Sequence, residues 1–228
     1  MDHQALWLTL KLAISTTAIL LAVALPLAWW IASGSGIGRA AAQAIVALPL
    51  VLPPTVLGYY LLIALGPLTA PGRFLTRVFG HPLAFSFTGL LIGSVLYSLP
   101  FAVQPIVAGF KSVDQGYLEA AAGLGASPFR ILHTVILPLA RNSLLTGAVL
   151  AFTHTVGEFG VVLMLGGNIP GTTRTLSISL FDQVQDFDYA SANRTALVLL
   201  SFSLATLLAV YLTPAWNQRN ERQADVVR

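Results

Sequence analysis

The sequence predicts an all-α integral membrane protein, and composition, hydropathy and charge spacing carry that prediction. Of the 228 residues, 56% are apolar and only 9% are charged, whereas a water-soluble domain has about a quarter charged residues. The mean hydropathy is +0.78. Long windows with few or no charged residues alternate with short polar segments. Together these features exclude an ordinary water-soluble enzyme.

Five of these windows are long enough to cross a bilayer core, for which about 20 residues suffice. The predicted spans cover residues 10–32, 44–65, 85–108, 143–165 and 195–214. The apolar core of the first window is much longer than that of a signal peptide, so we expect a retained helix there. Between the third and fourth spans lies a polar loop, residues 110–142, and a tail, residues 214–228, follows the last span.

The distribution of Lys and Arg predicts the orientation of the chain. Seven of the twelve lie on the side of the 110–142 loop and the tail, and five lie on the other side. Because cytoplasmic loops carry the excess of basic residues, we expect the N-terminus outside and the C-terminus in the cytoplasm.

Proline and ionisable residues within the spans are the candidates for a pathway or gate. Pro53 and Pro54 each remove an amide donor from the second span, which predicts a bend, either as a packing kink or as a pathway wall. Tyr59 follows them. His154 and Glu158 lie within the fourth span, where holding a charge costs at least ~2.5 kcal/mol. Their four-residue spacing predicts that Glu158 bonds to His154 or to a neighbouring helix.

Motifs for catalysis and for cofactor binding do not occur in the sequence. There is no G-x-x-x-x-G-K-[ST] loop for ATP, the four histidines lack zinc-ligand spacing, and there are no cysteines. No basic run has the length of a nucleic-acid footprint. A self-sufficient channel or ion-coupled carrier would need coordinating groups at membrane depth, and only His154 and Glu158 qualify.

The 110–142 loop has the pattern of two short helices at an angle. Ser112 and Gln115 form a capping-box pattern that predicts a helix to about Leu124. Gly125 can end it in the left-handed conformation, and Ser127-Pro128 predicts the start of a second helix. The first helix carries an apolar stripe, which comprises Val113, Tyr117, Ala121 and Leu124 and which we expect to dock on another surface.

This loop resembles the signature of permease subunits of ATP-binding-cassette (ABC) importers. The match comprises Glu119-Ala120-Ala121, then Gly125 after three intervening residues, then Val135, Leu137 and Pro138 after nine more, with valine in place of isoleucine. The resemblance implies a type I ABC importer permease fold over residues 6–213, and a loop that couples to an ATPase on the cytoplasmic side. It assigns Glu119, Ala120, Ala121, Gly125, Leu137 and Pro138 to that coupling.

Further motifs are similar to one branch of the family, the molybdate permeases. They are Leu48–Pro54 with Gly58-Tyr59, Gly157–Gly160, Asn168–Gly171, and Thr173–Thr175. The resemblance implies a non-catalytic subunit for molybdate, with the related oxyanions tungstate and sulfate as alternatives. It also implies a periplasmic molybdate-binding protein and an inner-membrane location. Arg174 is either a candidate contact for that protein or an ordinary solvated loop charge, since exposed arginines are common and are also enriched in interfaces.

The resemblance and the span count together predict the assembly. Five spans leave little room to enclose a pathway, so we expect a homodimer with two ATP-binding subunits below it. We expect no cofactor on this chain, with ATP and Mg²⁺ bound by the partner ATPase.

Overall fold

The structure is a computed structural model that describes residues 2–226, with only the backbone described at residues 210, 211 and 213–226. Within that range all regular secondary structure is helical. The helices are α1 His3–Ala32, α2 Ile37–Val51, α3 Pro54–Leu65, α4 Ala70–Phe79, α5 Phe87–Lys111, α6 Gln115–Gly123, α7 Pro128–Ile131, α8 Leu137–Leu139, α9 Arg141–Gly157, α10 Gly160–Gly166, α11 Leu176–Gln185 and α12 Tyr189–Val226. A π-helical turn, Leu132–Ile136, joins α7 to α8. Residues 227 and 228 of the predicted tail lie outside the described residues.

Three helices among the described residues are individually long and apolar enough to cross a membrane. They are α1, α5 and the Tyr189–Ala209 part of α12. Two further helix pairs pass the same test together but are sharply bent, by 110° between α2 and α3 and by 74° between Pro128–Leu139 and α9. Counting each bent pair as one crossing gives up to five spans.

The second predicted span, residues 44–65, divides at Leu52 and Pro53 into two separate helices. Leu52 precedes a proline and takes an extended backbone with ψ 136°, as steric contact with the proline ring favours. Pro53 is also extended, and Pro54 occupies the first position of α3, where no amide donor is needed. The two prolines therefore produce a sharp corner where the sequence predicted only a bend.

The fourth predicted span, residues 143–165, is also interrupted. Helix α9 ends at Gly157, and Glu158 has an extended backbone with φ −64° and ψ 132°. Helix α10 begins at Gly160. Two poor helix-forming glycines thus flank the non-helical pair of Glu158 and Phe159.

The helices pack around two groups of buried apolar side chains. The first group joins α1, α5 and α9 and includes Leu20, Ala24, Ala102, Ile106 and Ala151. The second joins α1, α5, α10 and α11 and includes Leu12, Leu90, Val161, Leu165 and Ile178. Small residues allow the close approach: a Cβ added at Gly147 of α9 would lie 2.8 Å from the carbonyl oxygen of Ala102.

Helices α4 and α11 were not predicted, because both lie outside the apolar windows. Helix α11 is held between α1 and α9 by buried polar contacts. The amide of Leu176 donates to Thr9 Oγ1 at 2.9 Å, and Ser177 Oγ donates to the carbonyl oxygen of Val156 at 3.3 Å. The segment after α10 therefore returns into the bundle.

Candidate functional site

The two interrupted spans meet at a cavity of about 540 Å³. Its walls come from the start of α3, the middle of α5, and the α9–α10 break. Most of the lining is apolar. The polar side chains that reach it are Thr55, Tyr97, Thr153, His154 and Glu158.

Glycines bring α3 and α10 into close contact beside this cavity. A Cβ added at Gly58 would lie 2.7 Å from Met164 Cβ, and one added at Gly160 would lie 2.6 Å from Pro54 Cβ. Gly157, in contrast, has open space where a Cβ would point. Of the two glycines that flank Glu158 and Phe159, only Gly160 therefore allows a close contact between helices.

His154 is fixed by a chain of hydrogen bonds between α5 and α9. Its Nδ1 lies 2.9 Å from Ser98 Oγ, which lies 3.0 Å from Thr155 Oγ1. Thr155 donates to the carbonyl oxygen of Ala151 at 2.8 Å. Because that bond uses the hydroxyl hydrogen of Thr155, Ser98 donates to Thr155 and His154 Nδ1 donates to Ser98.

Aromatic rings also hold the imidazole of His154. Its ring centroid lies 3.9 Å from that of Phe101, in a stacked arrangement, and 4.9 Å from that of Tyr97. Stacked and tilted ring pairs at these separations are favourable beyond the area they bury. The hydrogen bond and the two rings together give His154 one defined orientation at the cavity wall.

Glu158 makes no hydrogen bond to His154, so the first of the two partners predicted from the sequence is wrong. Helix α9 ends at Gly157 and Glu158 has an extended backbone, so the two residues are not one turn apart on a continuous helix. Glu158 is 4% exposed, and both carboxylate oxygens lack a hydrogen-bond partner among the described residues. The buried hydroxyl of Ser94 on α5 lies near this carboxyl, and it too lacks a hydrogen-bond partner among the described residues.

The other pathway candidates divide between the cavity and the surface. Pro54 lines the cavity, together with His154 and Glu158. Pro53 is exposed, and Tyr59 is half exposed with its ring 5.6 Å from that of Tyr60. Sequence reasoning missed Thr55 and Tyr97 as lining residues, since neither differs in pattern from other polar residues in the spans.

The 110–142 loop contains two short helices with a glycine turn between them. Asp114, not Ser112, caps α6: its Oδ1 accepts from the amide of Gly116 at 2.7 Å, while Ser112 Oγ donates to the carbonyl oxygen of Gly109. The predicted capping box is therefore wrong, because α5 extends to Lys111 and uses Ser112 as its own end. Gly125 has φ +78°, in the left-handed region as predicted.

The predicted start of the second short helix is confirmed. Ser127 is the N-cap of α7, and its Oγ accepts from the amide of Arg130 at 3.3 Å. Pro128 occupies the first position of the helix. The serine satisfies one of the free amides at the helix start, and the proline needs no partner there.

The outer side of this loop is apolar and open. Tyr117, Leu124 and Phe129 are each more than half exposed, Leu124 at 89%, and together they form what we call the coupling surface. Glu119 and Ala120 are exposed on the same helix, and Ala121 is half-buried. An exposed apolar patch rimmed by polar residues is typical of a protein interaction site.

The remaining loop residues anchor the coupling surface to the bundle. Leu137 is half-buried and packs against the first core group, while Pro138 is exposed at the start of α8. Val113, predicted as part of the apolar stripe, is half-buried against the same group. The stripe thus divides between residues that hold the loop and residues free to bind.

Arg174 is held by a small polar cluster at the opposite end of the molecule. Its Nε donates to Asn168 Oδ1 at 2.6 Å and lies 3.7 Å from Asp182 Oδ2. Asn168 Nδ2 donates to both oxygens of Asp182, at 2.9 and 2.8 Å. These residues border a polar cavity of about 620 Å³ that Asp2 and Asp186 also line.

Comparisons with known proteins agree with this architecture. Residues 24–223 match the family described as "Binding-protein-dependent transport system inner membrane component". The chain is 49% identical over 211 residues to the molybdenum transport system permease protein ModB of Azotobacter vinelandii, covering 92% of this chain and 93% of that protein. It is 35% identical to the sulfate transport system permease protein CysT of Synechocystis sp., covering 80% of this chain and 63% of that protein.

A solved structure shares the fold. A chain of the MetNI methionine ABC transporter in an inward-facing conformation superimposes with a TM-score of 0.71 at 17% identity, covering 92% of this chain and 93% of that chain. The predicted fold class, a type I ABC importer permease, is confirmed by this likeness together with the family match.

Proposed function

Because the chain belongs to the family of binding-protein-dependent transport system inner membrane components, we propose that it is the permease subunit of an ATP-driven importer for molybdate. The observation that supports molybdate as the substrate is the 49% identity to a molybdenum permease over nearly the whole of both chains. The chain is a multi-pass protein of the inner membrane, and its relatives are transport permeases, which supports a non-catalytic subunit.

Coupling to ATP hydrolysis is assigned to the 110–142 loop. Tyr117, Leu124 and Phe129 present an apolar surface that the described side chains leave open. A cleft on an ATPase subunit that accepts this surface would remove it from water. Such burial stabilises the complex by about 25 cal/mol for each Å² of apolar area. ATP and Mg²⁺ are bound by that partner, and this chain carries no cofactor.

The assembly contains two copies of this chain and two ATP-binding subunits. The described residues of one copy supply up to five crossings, and the cavity at the α9–α10 break is partly open. A second copy related by a two-fold axis along the membrane normal would enclose a pathway and supply a second coupling surface. Isolation in mild detergent should yield a two-plus-two complex, whereas full transport by a lone copy would contradict it.

We assign the cavity between the interrupted spans to a position beside the translocation pathway. A carboxylate close to a dianion would add a repulsion of several kcal/mol at intermediate dielectric, so Glu158 does not contact the oxyanion. Burial and the break in the helix suit it to a structural or gating role. His154, fixed by Ser98 and Phe101, forms part of the same wall.

The coupling surface faces the cytoplasm and the Arg174 cluster faces the periplasm. This orientation follows the excess of basic residues on the side of the 110–142 loop. Arg174 is held in place by Asn168 and Asp182 and still borders an open polar cavity. Arg174 is the candidate contact for a periplasmic molybdate-binding protein, which would not have to order the arginine on binding.

Sulfate is the second candidate substrate, since the chain is also 35% identical to a sulfate permease. Tungstate and sulfate are tetrahedral dianions like molybdate. A self-sufficient channel or ion-coupled carrier is disfavoured, because such a protein has no use for an exposed coupling surface.

The proposal is tested by ATP hydrolysis in nanodiscs that contain the chain with its ATPase partner. Hydrolysis should rise when the binding protein is added with molybdate, and rise much less with empty or sulfate-loaded binding protein. Equal stimulation by sulfate-loaded binding protein would favour the second candidate. A rate of ATP hydrolysis that does not change when the binding protein is added would contradict the proposal of an importer.

A further inference from the structure

Helix α4, Ala70–Phe79, presents two different flanks on its exposed side. Arg73 and Arg77, four residues apart, form one flank, and both are exposed. Phe74 and Val78, also four apart, form the other, with 65% and 62% of their surfaces exposed. Because residues four apart lie along one line of a helix, both flanks run parallel to the helix axis.

The position of α4 is fixed by contacts on its other side. Thr69 caps the helix by accepting from the amide of Gly72 at 3.2 Å, and it donates to the carbonyl oxygen of Ile63 at 3.0 Å. Gly72 is buried against the carbonyl of Gly66, where a Cβ would not fit. Leu75 packs against the second core group. The exposed flanks therefore point in a fixed direction.

The helix lies at the end of the molecule away from the coupling surface. It joins α3 to α5, and α5 runs from Phe87 at this end to Lys111 at the 110–142 loop. Apolar residues beside a water-filled periplasm would be unfavourable, but this end is also where the crossing helices leave the bilayer. A helix of ten residues is about 15 Å long, which is short enough to lie on the bilayer surface beside one protein edge.

The two arginines have no anionic partner within the described part of the chain. No Asp or Glu occurs between Asp2 and Asp114. Arg73 Nη1 donates to the carbonyl oxygen of Leu68 at 3.1 Å, and the one ion pair among the described residues joins Arg174 to Asp182. The basic flank thus remains available for an anion from outside the chain.

We propose that α4 lies in the membrane interface and binds anionic phospholipid, with Phe74 and Val78 among the acyl chains and Arg73 and Arg77 on headgroup phosphates. A lipid monolayer places an apolar layer directly beside an anionic one, which matches the adjacent apolar and basic flanks. Long arginine side chains reach headgroups while their stems remain on apolar surface. This inference rests on the chain's location in a bilayer and is independent of its substrate.

Spin labels can test the depth of each flank, because the sequence contains no cysteine. Single variants Phe74→Cys and Val78→Cys report the apolar flank, and Arg73→Cys and Arg77→Cys report the basic flank. Each is labelled in the complex with its ATPase, in vesicles of phosphatidylethanolamine and phosphatidylglycerol. Collision rates are then measured with oxygen, which concentrates in acyl chains, and with a water-soluble nickel chelate.

The expected result is an oxygen-to-nickel collision ratio several-fold higher at positions 74 and 78 than at 73 and 77. Nickel access at all four positions would show a water-exposed helix and overturn the proposal. Shielding of positions 74 and 78 from both reagents would show that a protein covers them, which would also overturn it.

A second measurement tests the anionic headgroup. In the Phe74→Cys background, replacing phosphatidylglycerol with phosphatidylcholine should make the label shallower. With Arg73→Gln and Arg77→Gln added, the two lipid compositions should give the same depth. If the label in the Phe74→Cys variant lies at the same depth in both lipid compositions, the proposed contact with headgroup phosphates is refuted.

Discussion

Gly160 and Pro54 touch at the point where the two interrupted spans meet. A Cβ at Gly160 would lie 2.6 Å from Pro54 Cβ, closer than real Cβ contacts allow. Pro54 is the first residue of α3 and Gly160 is the first residue of α10, so the contact joins the starts of two helices. Both breaks are thereby held against each other beside the cavity that contains Glu158.

Gly160→Ala should destabilise the permease, because neither the proline ring nor the helix start can move away cheaply. Overpacking of this kind costs about 1–3 kcal/mol. Gly157→Ala is the matched control, since a Cβ there meets nothing within 4 Å. The measurement is the thermal unfolding midpoint in detergent. Equal midpoints for the two variants would show that the Gly160–Pro54 contact carries no stability.

Gly125→Ala should reduce coupling between ATP hydrolysis and transport while the protein still inserts in the membrane. Gly125 has φ +78°, a conformation that costs a residue with a side chain on the order of 1 kcal/mol or more. Nothing lies within 4 Å of a Cβ at either Gly125 or Gly123, so Gly123→Ala controls for added volume without the backbone cost.

The readout for this pair is transport per ATP hydrolysed in proteoliposomes, with the larger Gly125→Val as a stronger test of the same position. We expect Glu119→Lys to lower the same ratio. Normal ratios for Gly125→Val and Glu119→Lys together would remove the assignment of this loop to coupling.

Glu158→Gln should change the transport rate or complex stability and leave the preference among oxyanions unchanged. The substitution keeps the shape of the side chain and removes its ability to carry a charge, in a site where both oxygens lack a partner. Uptake of molybdate in competition with sulfate measures the preference. A changed preference with rate and assembly intact would place Glu158 in the selectivity site.

Thr9→Val should destabilise the protein by leaving the buried amide of Leu176 without an acceptor. An unsatisfied buried amide costs about 1–3 kcal/mol. Thr17→Val is the control, since Thr17 Oγ1 donates only to the carbonyl oxygen of Ala13 on its own helix. Hydrogen exchange of residues 176–185 should rise in the first variant alone. Unchanged exchange would mean that Thr9 does not hold α11.

Charge spacing and helix-ending residues predicted the membrane class and the turn at Gly125. The window criterion works because a bilayer excludes charge over a fixed thickness, and Gly125 was readable because left-handed backbone favours glycine. The turn at Ser127-Pro128 followed from the same local chemistry. Each of these features depends on residues close together in the chain.

Features that depend on contacts between distant segments were not predictable in this way. The four-residue spacing of His154 and Glu158 suggested a bond, but that prediction assumed a helix that continues through Glu158. Helix α9 in fact ends at Gly157. Half of the residues of helix α11 are polar, and the helix is held by Thr9, 167 positions away from Leu176. The capping box failed because α5 continued into it.

The central claim is that this chain is the permease of a binding-protein-dependent molybdate importer. The most direct measurement is uptake into vesicles that contain the full complex, with radiolabelled molybdate and with tungstate and sulfate as competitors. Uptake should require ATP, the ATPase partner and the binding protein, and sulfate should compete poorly. Uptake that proceeds without ATP or without the binding protein would contradict the account.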